Sequence, residues 1–309
     1  MEKKIWNYTY SLLLSVILLL LLGIFIHLDG NGNKVNELPT DTPVSQEKTF
    51  LQEQKNIEKK TKPMLHEILG KKDEELPLFH RFIKTVDKLN VPKIAIIIDD
   101  LGYQREIAER IINLNFPITI SILPFLPNSQ SIVEMAKEKN ISILLHLPME
   151  PHNSNINPGK GAIYSSMNEE EIKTKIRAVF QDLPDIDGMN NHMGSKVTED
   201  REIMKIILSE IQKRDLFFID SMTSPNSVGY ELSKQMGIKT AYRSVFLDNN
   251  QDKDYIRQQI KILKELALKN NKVIAIGHPY CNTIDVLMEA GLELQAEGIK
   301  IVRLEELLE

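Results

Sequence analysis

Short apolar runs recur at regular intervals after Pro92, and longer stretches with helical periodicity separate them. The predicted strands are, in order, Lys93–Ile98, Ile118–Leu123, Ile141–His146, Gly188–His192, Leu216–Asp220, Thr240–Phe246, Val273–His278 and Lys300–Leu304. The clearest predicted helices are Glu199–Lys213 and Asp252–Lys269. Such alternation indicates βαβ units with parallel strands. Seven or eight strands over about 215 residues favour a closed or partly closed (β/α) barrel over an open sheet.

The chain begins with a long apolar segment. Residues 6–28 carry no acidic or basic side chain apart from one histidine, and Lys3 and Lys4 precede them. A helix of this length crosses about 30 Å of hydrocarbon, and the flanking lysines favour a cytoplasmic amino terminus. We therefore expect a single-pass anchor in the cell membrane with the main domain outside the cytoplasm. The alternative is a cleaved signal peptide and a secreted or periplasmic protein, although residues His27–Gly30 contain no small-x-small cleavage pattern.

Residues 29–90 differ in composition from the segments on either side. Asn, Gln, Lys, Glu, Thr and Pro predominate, and apolar residues are few until some helical periodicity returns in the second half. Such a segment buries too little apolar surface to offset the loss of chain entropy. The predicted organisation is an anchor at residues 1–28, a polar linker or stalk at 29–90 and a barrel domain at 91–309.

Composition and motifs exclude several classes of protein. The net charge is -5 and no cluster of Arg and Lys is interleaved with aromatics, so we expect no nucleic-acid partner. No predicted strand is followed by GxGxxG or GxxxxGK[ST], so we expect no nucleotide. Cys281 is the only cysteine, which rules out an intramolecular disulfide and a cysteine-based zinc site.

Polar residues that suit a metal site follow the apolar runs. They are Asp99, Asp100, His146, Asn190, Asn191, His192, Asp220 and His278. The carboxyl ends of parallel barrel strands open onto one face, so these residues are predicted to form one constellation. Asp99 and Asp100 are the most informative pair, because adjacent carboxylates raise each other's pKa unless a cation or a proton lies between them.

A carboxylate pair with imidazoles, and without a serine nucleophile motif, favours metal-assisted hydrolysis. A divalent ion held by one carboxylate and two neutral imidazoles keeps a position open for water and lowers the pKa of that water. The predicted ligands are Asp100, His146 and His192, with Asp99 as general base and His278 as general acid. Asp220 is available to orient His278 or to bind substrate.

A glycosidase is a weaker interpretation of the same carboxylate pair. Its two carboxyl groups flank the scissile bond at about 5 Å or more. Neighbouring residues of an extended strand point to opposite sides unless the loop turns them. Asp99 and Asp100 therefore suit a metal site better.

Five strings resemble the successive motifs of the divergent polysaccharide deacetylase family, a remote branch of the polysaccharide deacetylase superfamily. They are Ile96–Gly102, His146–Pro151, Asn190–Ser195, Phe218–Ser221 and Ala275–Tyr280. The resemblance runs from about Lys93 to the carboxyl terminus and keeps order and spacing. It implies a deformed (β/α) barrel that removes acetyl groups from N-acetylated sugars of peptidoglycan or a related glycan, and a divalent metal, expected to be zinc.

The resemblance also implies roles for individual residues. Asp99 stands where ordinary deacetylases have the base, Asp100 where they have a metal ligand, and His278 carries their last histidine. His146 fills the first of their two metal-histidine positions, and Glu150 stands at the second. Their arginine-containing third motif has no counterpart, and 190–193 occupies its place. Either Glu150 or His192 is therefore expected to complete the metal site.

The predicted function is a membrane-anchored, metal-dependent hydrolase of C–N (non-peptide) or ester bonds in a cell-envelope polysaccharide or peptidoglycan. Asn191, Tyr103 and Tyr280 are expected to contact the substrate near the cleft. The alternative is a catalytically inactive descendant that binds glycan or an envelope protein. Bound metal is the property that distinguishes the two.

Overall fold

A parallel β-sheet with helices between its strands organises the barrel domain. The computed structural model describes residues 91–309, which form one compact unit. The predicted anchor and stalk, residues 1–28 and 29–90, lie outside the described residues. Within 91–309, no helix is both long enough and apolar enough to cross a membrane.

The elements alternate as the apolar pattern predicts. The strands are β1 (Lys93–Leu101), β2 (Thr119–Ile122), β3 (Ser142–Met149), β4 (Gly188–Met193), β5 (Phe217–Asp220), β6 (Thr240–Tyr242), β7 (Val245–Phe246), β8 (Lys272–Gly277) and β9 (Lys300–Ile301). The helices are α1 (Arg105–Ile112), α2 (Ser129–Glu138), α3 (Glu169–Asp182), α4 (Arg201–Gln212), α5 (Gly229–Gln235), α6 (Lys253–Asn270) and α7 (Cys281–Ala296). Short 3-10 turns cover Val197–Glu199 and Leu304–Leu307.

The sheet is a curled partial barrel. Its strand order is β6-β5-β4-β3-β2-β1-β8-β7, all neighbours are parallel, and the two-residue β9 pairs with β1. The prediction of a deformed parallel (β/α) barrel is confirmed, with eight strands along the sheet. Strands β6 and β7 form its two edges and do not pair with each other, so the barrel stays open between them.

The prediction of one continuous strand over Thr240–Phe246 is wrong. Strand β6 ends at Tyr242 and β7 begins at Val245, and Arg243 and Ser244 form a two-residue link between the two edges of the sheet. The amide of Arg243 donates to the carbonyl of Asp220, the last residue of β5, and the amide of Ser244 donates to the carbonyl of Ile274 in β8. The chain crosses the opening of the barrel at this link, which local β propensity does not reveal.

The two faces of the sheet pack into separate clusters. In β1, Ile94, Ile96 and Ile98 pack with the helices, whereas Ala95 and Ile97 pack with residues of β3, β5, β6 and β8 inside the curl. Because side chains alternate along a strand, Asp99 continues the inner row of Ala95 and Ile97. The same parity argument directs His146, Asn190 and His192 inward from β3 and β4, and His278 inward just after β8.

Candidate metal centre

A backbone irregularity turns Asp100 toward its neighbour Asp99. The pairing register between β1 and β2 shifts between Ile98 and Leu101, and Asp100 has a φ of 59°. This left-handed conformation costs free energy for a residue other than glycine. It breaks the alternation of the strand, so both carboxylates reach the same imidazole nitrogen, His146 Nε2, at 3.6 Å from Asp99 Oδ2 and 3.2 Å from Asp100 Oδ1.

Three potential metal ligands converge at this point. Asp100 Oδ1 lies 2.9 Å from His192 Nδ1, and the two facing nitrogens of His146 and His192 are 3.1 Å apart. These separations are comparable to the about 3.3 Å expected between ligand atoms around a tetrahedral zinc ion. Among residues 91–309, these three are the group of His, Cys, Asp and Glu side chains arranged to hold a metal ion.

The hydrogen bonding of Asp100 supports a cation at this position. Its Oδ1 atom is buried and has no hydrogen-bond donor of suitable geometry in the described part of the protein, although two ring nitrogens lie within 3.2 Å. A buried carboxylate oxygen without a partner is costly. Coordination of a divalent ion by Asp100, His146 and His192 would satisfy this oxygen, so the donor set fits a metal.

Asn190 connects the metal cluster to Asp99. Its Oδ1 accepts the hydroxyl of Ser121 at 2.6 Å and lies 2.7 Å from His146 Nδ1, and its Nδ2 donates to Asp99 Oδ1 at 2.8 Å. A proton on His146 Nδ1 leaves the lone pair of Nε2 facing the cluster, as metal coordination requires. Asn190 therefore orients both a potential ligand and the neighbouring carboxylate.

The electrostatics of the cluster separate the two aspartates. Burial raises the pKa of Asp99, and the nearby imidazoles and Asn190 only partly oppose this effect. Burial alone would also raise the pKa of Asp100, but the imidazoles of His146 and His192 outweigh it and hold the pKa well below its usual range. Burial would lower the pKa of His146, but Asp99 and Asp100 raise it. The two carboxylates thus differ in proton affinity, which suits different roles.

His278 lies across the cluster from β3 and β4. Its Nε2 is 3.9 Å from Asp100 Oδ2, and its Nδ1 is 2.7 Å from Asp248 Oδ1. Asp248 is buried and also accepts the amide of His278 and the hydroxyl of Thr283. Burial would lower the pKa of His278, but Asp248, Asp99 and Asp100 outweigh it and raise the pKa to about 9. His278 is therefore held as a proton donor that faces the cluster.

Comparison with known proteins gives the family of this domain. The sequence profile described as divergent polysaccharide deacetylase matches residues 96–308. The chain belongs to the divergent polysaccharide deacetylase family. The matched residues include all nine strands, apart from the first three residues of β1. Family membership therefore applies to the whole barrel domain.

Two curated relatives and one solved structure resemble this deacetylase-family chain. An uncharacterised protein of Haemophilus influenzae is 34% identical over 210 residues, which are 68% of this chain and 74% of that protein. The uncharacterised protein YibQ of Escherichia coli is 33% identical over 216 residues, 70% of this chain and 67% of that protein. The crystal structure of an uncharacterised protein of Agrobacterium tumefaciens, at 20% identity, shares the fold with a TM-score of 0.65 over 70% of this chain and 89% of that one.

Glu150 lies outside the cluster of this family member. Its carboxylate pairs with Lys196 Nζ at 2.8 Å and accepts the amide of Ser165 at 2.7 Å. Burial would raise the pKa of Glu150, but these two contacts lower it to about 2. Strand β3 ends at Met149, one residue before Glu150. Of the two residues expected to complete the metal site, the structure brings His192, and not Glu150, to Asp100 and His146.

Asp220 does not contact His278. One of its oxygens accepts the amide of Met222, and the other accepts the hydroxyl of Ser227 and the amide of Tyr230 at the start of α5. Asp220 has the parity of Phe218, which packs with the helices, so its side chain leaves the sheet on the face opposite to the metal cluster. The expectation that Asp220 orients His278 is therefore wrong, and Asp248 does so instead.

The three expected substrate contacts fall into two groups. Asn191 is buried, and it donates to Met193 O and Thr223 Oγ1 and accepts the amide of Ser221, so its amide group holds loops together. Tyr103 and Tyr280 line a cavity of about 1100 Å³ that also reaches Asp100 and His192. The two tyrosines lie where a substrate could contact them, whereas the side-chain amide of Asn191 is occupied.

Two residues that shape the site were not selected from the sequence. Asp248 follows the short strand β7, which the sequence pattern merged with β6, so its position at the end of a strand was hidden. Asn190 was recognised as a strand-end residue without a role, and its inward parity between Gly188 and His192 was the available signal. Both side chains act through hydrogen bonds to a histidine.

Proposed function

We propose that this protein is a metal-dependent hydrolase that removes acyl groups from a cell-envelope glycan, with zinc as the expected ion. The observation that carries the proposal is the convergence of Asp100, His146 and His192 between two further proton-carrying groups, Asp99 and His278. Family membership supports a glycan such as peptidoglycan as the substrate class. The bond broken would be the C–N bond of an N-acyl sugar or the ester of an O-acyl sugar.

The residues around the cluster suit the proton transfers of this hydrolysis. An ion bound by the three ligands would polarise the acyl carbonyl and acidify water. Asp99 has one oxygen fixed by Asn190 and the other directed at the cluster, so Asp99 accepts the proton of the attacking water. Nε2 of His278, oriented by Asp248 at Nδ1, donates a proton to the leaving amine or alkoxide. The products are a carboxylic acid and the deacylated sugar.

The first experiment measures metal content. Full-length protein purified in detergent is dialysed against zinc and then against buffer, and bound metal is measured by elemental analysis. We expect about one ion per chain in the unmodified protein and loss of the ion in Asp100→Ala and His146→Ala, because each change removes one of three ligands. Glu150→Gln is the control and retains the ion. A chain without bound zinc before any substitution contradicts the proposal.

The second experiment separates catalysis from metal binding. Asp99→Asn keeps the shape of the side chain but cannot accept a proton, so we expect this variant to retain zinc while acyl release from N-acetylated glycans falls by about a thousandfold. Unmodified protein that binds zinc and glycan but releases no acyl group from peptidoglycan or N-acetylglucosamine oligomers would instead support the inactive, glycan-binding alternative.

Membrane attachment and location belong to the same proposal. Residues 6–28 would hold the protein in the cell membrane, with residues 91–309 outside the cytoplasm, where the glycan is. A reporter enzyme that is active only outside the cytoplasm, fused to Glu309, should be active and should sediment with membranes. Release of the fusion into the soluble fraction would indicate cleavage of the amino-terminal segment, and an inactive reporter would contradict the location.

A further inference from the structure

The cavity beside the metal cluster is larger than the cluster alone requires. Its volume is about 1100 Å³, and Asp100 and His192 occupy one part of its wall. Small-molecule pockets typically measure about 300–1000 Å³, so there is room for several sugar units. The loops after β1, β2 and β8 contribute many apolar side chains to the remaining wall, and residues 157–160 form another part of it. What these walls recognise determines which glycan is accepted.

One wall is a strained loop after β2 that carries Phe125. The φ of Phe125 is 59°, a conformation that bulky residues rarely adopt. The carboxylate of Asp182 holds this backbone by accepting the Phe125 amide at 2.7 Å. The Phe125 side chain is half-buried and lines the cavity. The fold thus maintains an unfavourable backbone conformation that places an aromatic ring in the wall of the cavity that Asp100 and His192 also line.

Two glycines make room for this loop. A Cβ atom at Gly161 would lie 3.0 Å from Phe125 Cε2, and a Cβ atom at Gly102 would lie 2.8 Å from Leu126 Cδ1. Both glycines also have positive φ angles, +81° at Gly161 and +134° at Gly102, that side chains disfavour. The ring of Phe125 therefore rests directly on the backbone that follows Lys160.

Lys160 gives this wall its charge. It is the only Lys or Arg among the residues that line the cavity, and its ammonium makes no ion pair with any residue in the range 91–309. It immediately precedes Gly161, so its backbone lies next to the Phe125 ring. The one carboxylate in the lining, Asp100, belongs to the proposed metal ligands. An exposed cation therefore borders an aromatic surface at the rim of the cavity.

We propose that Phe125 and Lys160 form a subsite for an anionic sugar unit of the glycan, next to the unit that is deacylated. The apolar C–H face of the sugar would pack on the Phe125 ring, and a carboxylate substituent would pair with the Lys160 ammonium. A neutral sugar would use only the aromatic part. The subsite rests on the proposed function for its position in catalysis, but binding can be measured without turnover.

The test compares two ligands that differ only in charge. One is a peptidoglycan tetrasaccharide with free lactyl carboxylates, and the other is the same tetrasaccharide with those carboxyls converted to amides. Binding to zinc-loaded, full-length Asp99→Asn protein is measured by calorimetry. We expect the carboxylate form to bind about tenfold more tightly, and Lys160→Gln to remove that preference. Lys160→Arg should retain it, and Lys139→Gln, at an exposed lysine outside the cavity, should leave it unchanged.

A second variant tests the aromatic part. Phe125→Gly removes the ring at a backbone conformation that glycine adopts freely, so we expect weaker binding of both tetrasaccharides by a variant that a thermal melt shows to be folded. Equal binding of the two ligands by the parent protein, absence of binding, or an effect of Lys160→Gln on both ligands alike would overturn the subsite. Carboxylate-dependent binding without acyl release would leave the subsite standing and refute the hydrolase.

Discussion

Asn190 makes three side-chain contacts at the site. It links the hydroxyl of Ser121, the ring of His146 and the carboxylate of Asp99 in a buried position. These hydrogen bonds satisfy the polar atoms of Asn190 and of its three buried partners. Its removal therefore affects stability and metal binding together.

Replacement of Asn190 by leucine should destabilise the protein by about 2–4 kcal/mol, because it leaves buried polar partners unsatisfied. Zinc affinity should also fall by about 10-fold to 100-fold, because His146 loses the contact that fixes its ring. Urea unfolding and competition with a chelator measure the two effects. Ser121→Ala, which removes a single donor, is the control and should cost about 1 kcal/mol. Similar values for the two variants would contradict this role of Asn190.

Glu150 gives a pH-dependent prediction. Its pKa is about 2 in the folded protein and 4.5 for an unperturbed glutamate, so the unfolded state binds the proton more readily. The stabilisation by Glu150 is therefore complete above about pH 4.5 and is lost as the pH falls toward 2. Glu150→Gln should cost about 1 kcal/mol at pH 7, a modest value because Lys196 is partly exposed.

Urea unfolding at pH 7, 4.5 and 3 tests this dependence. The difference between the parent protein and Glu150→Gln should shrink as the pH falls, while bound zinc at pH 7 stays unchanged. A difference in stability that is constant with pH would show that the Lys196 and Ser165 contacts do not set the pKa of Glu150.

The link between β6 and β7 is the main feature at the scale of elements. Arg243 Nε and Nη2 donate to the carbonyls of Ser221 and Met222 after β5, at 2.7 and 2.8 Å. Its guanidinium also lies 3.8 Å from the ring centroid of Phe246 in β7. One side chain thus connects the two edges of the sheet where no backbone pairing does so.

Arg243→Met should destabilise the protein by about 2–3 kcal/mol, because it removes two charge-assisted hydrogen bonds and a cation–π contact. Arg243→Lys keeps the charge but lacks the planar guanidinium, so its stability should lie between those of the parent protein and Arg243→Met. Arg257→Met, at an exposed arginine of α6 whose ion pairs are on the surface, is the matched control and should cost less than about 1 kcal/mol. Urea unfolding measures the stability of all three variants. Equal losses in Arg243→Met and Arg257→Met would contradict the conclusion that Arg243 connects the two sheet edges.

The sequence predicted elements well where apolar periodicity was strong. The strands that became β1, β3, β4 and β8 were placed within a few residues of their bounds, and helix α6 within one. The division of Thr240–Phe246 was missed, because both halves have the same β-forming composition and only the hydrogen bonds of Arg243 and Ser244 distinguish them.

At the scale of the whole domain, strand-end position predicted the site better than residue type did. Asp99, Asp100, His146, His192 and His278 lie together because the parallel sheet gathers the ends of its strands. Asp220 also ends a strand, but its side chain points to the face that packs with the helices. The preceding run Phe217–Ile219 is apolar and buried on both faces, so the sequence does not show which face each residue points to. Asp248 and Glu150 depended on tertiary partners that a single sequence does not display.

The central position of β1 has a consequence for how the domain is made. Strand β1 pairs with β2 on one side and with β8 and β9 on the other, although about 170 residues separate it from β8 along the chain. A chain that ends at Asn271 lacks β8, α7 and β9, which leaves one edge of β1 open. Such a chain should show no cooperative unfolding transition in urea, whereas the chain ending at Glu309 should.

The first strand of the sheet therefore completes its pairing only when the last two strands are present. During synthesis, β1 cannot complete its pairing until about the final sixth of the domain has emerged, so the complete sheet forms only near the end of synthesis. A polypeptide that must be threaded through a membrane benefits from this delay, because only an unfolded chain can pass. If residues 91–309 lie outside the cytoplasm, as we propose, this strand order would keep the chain able to cross the membrane until β8 and β9 are made.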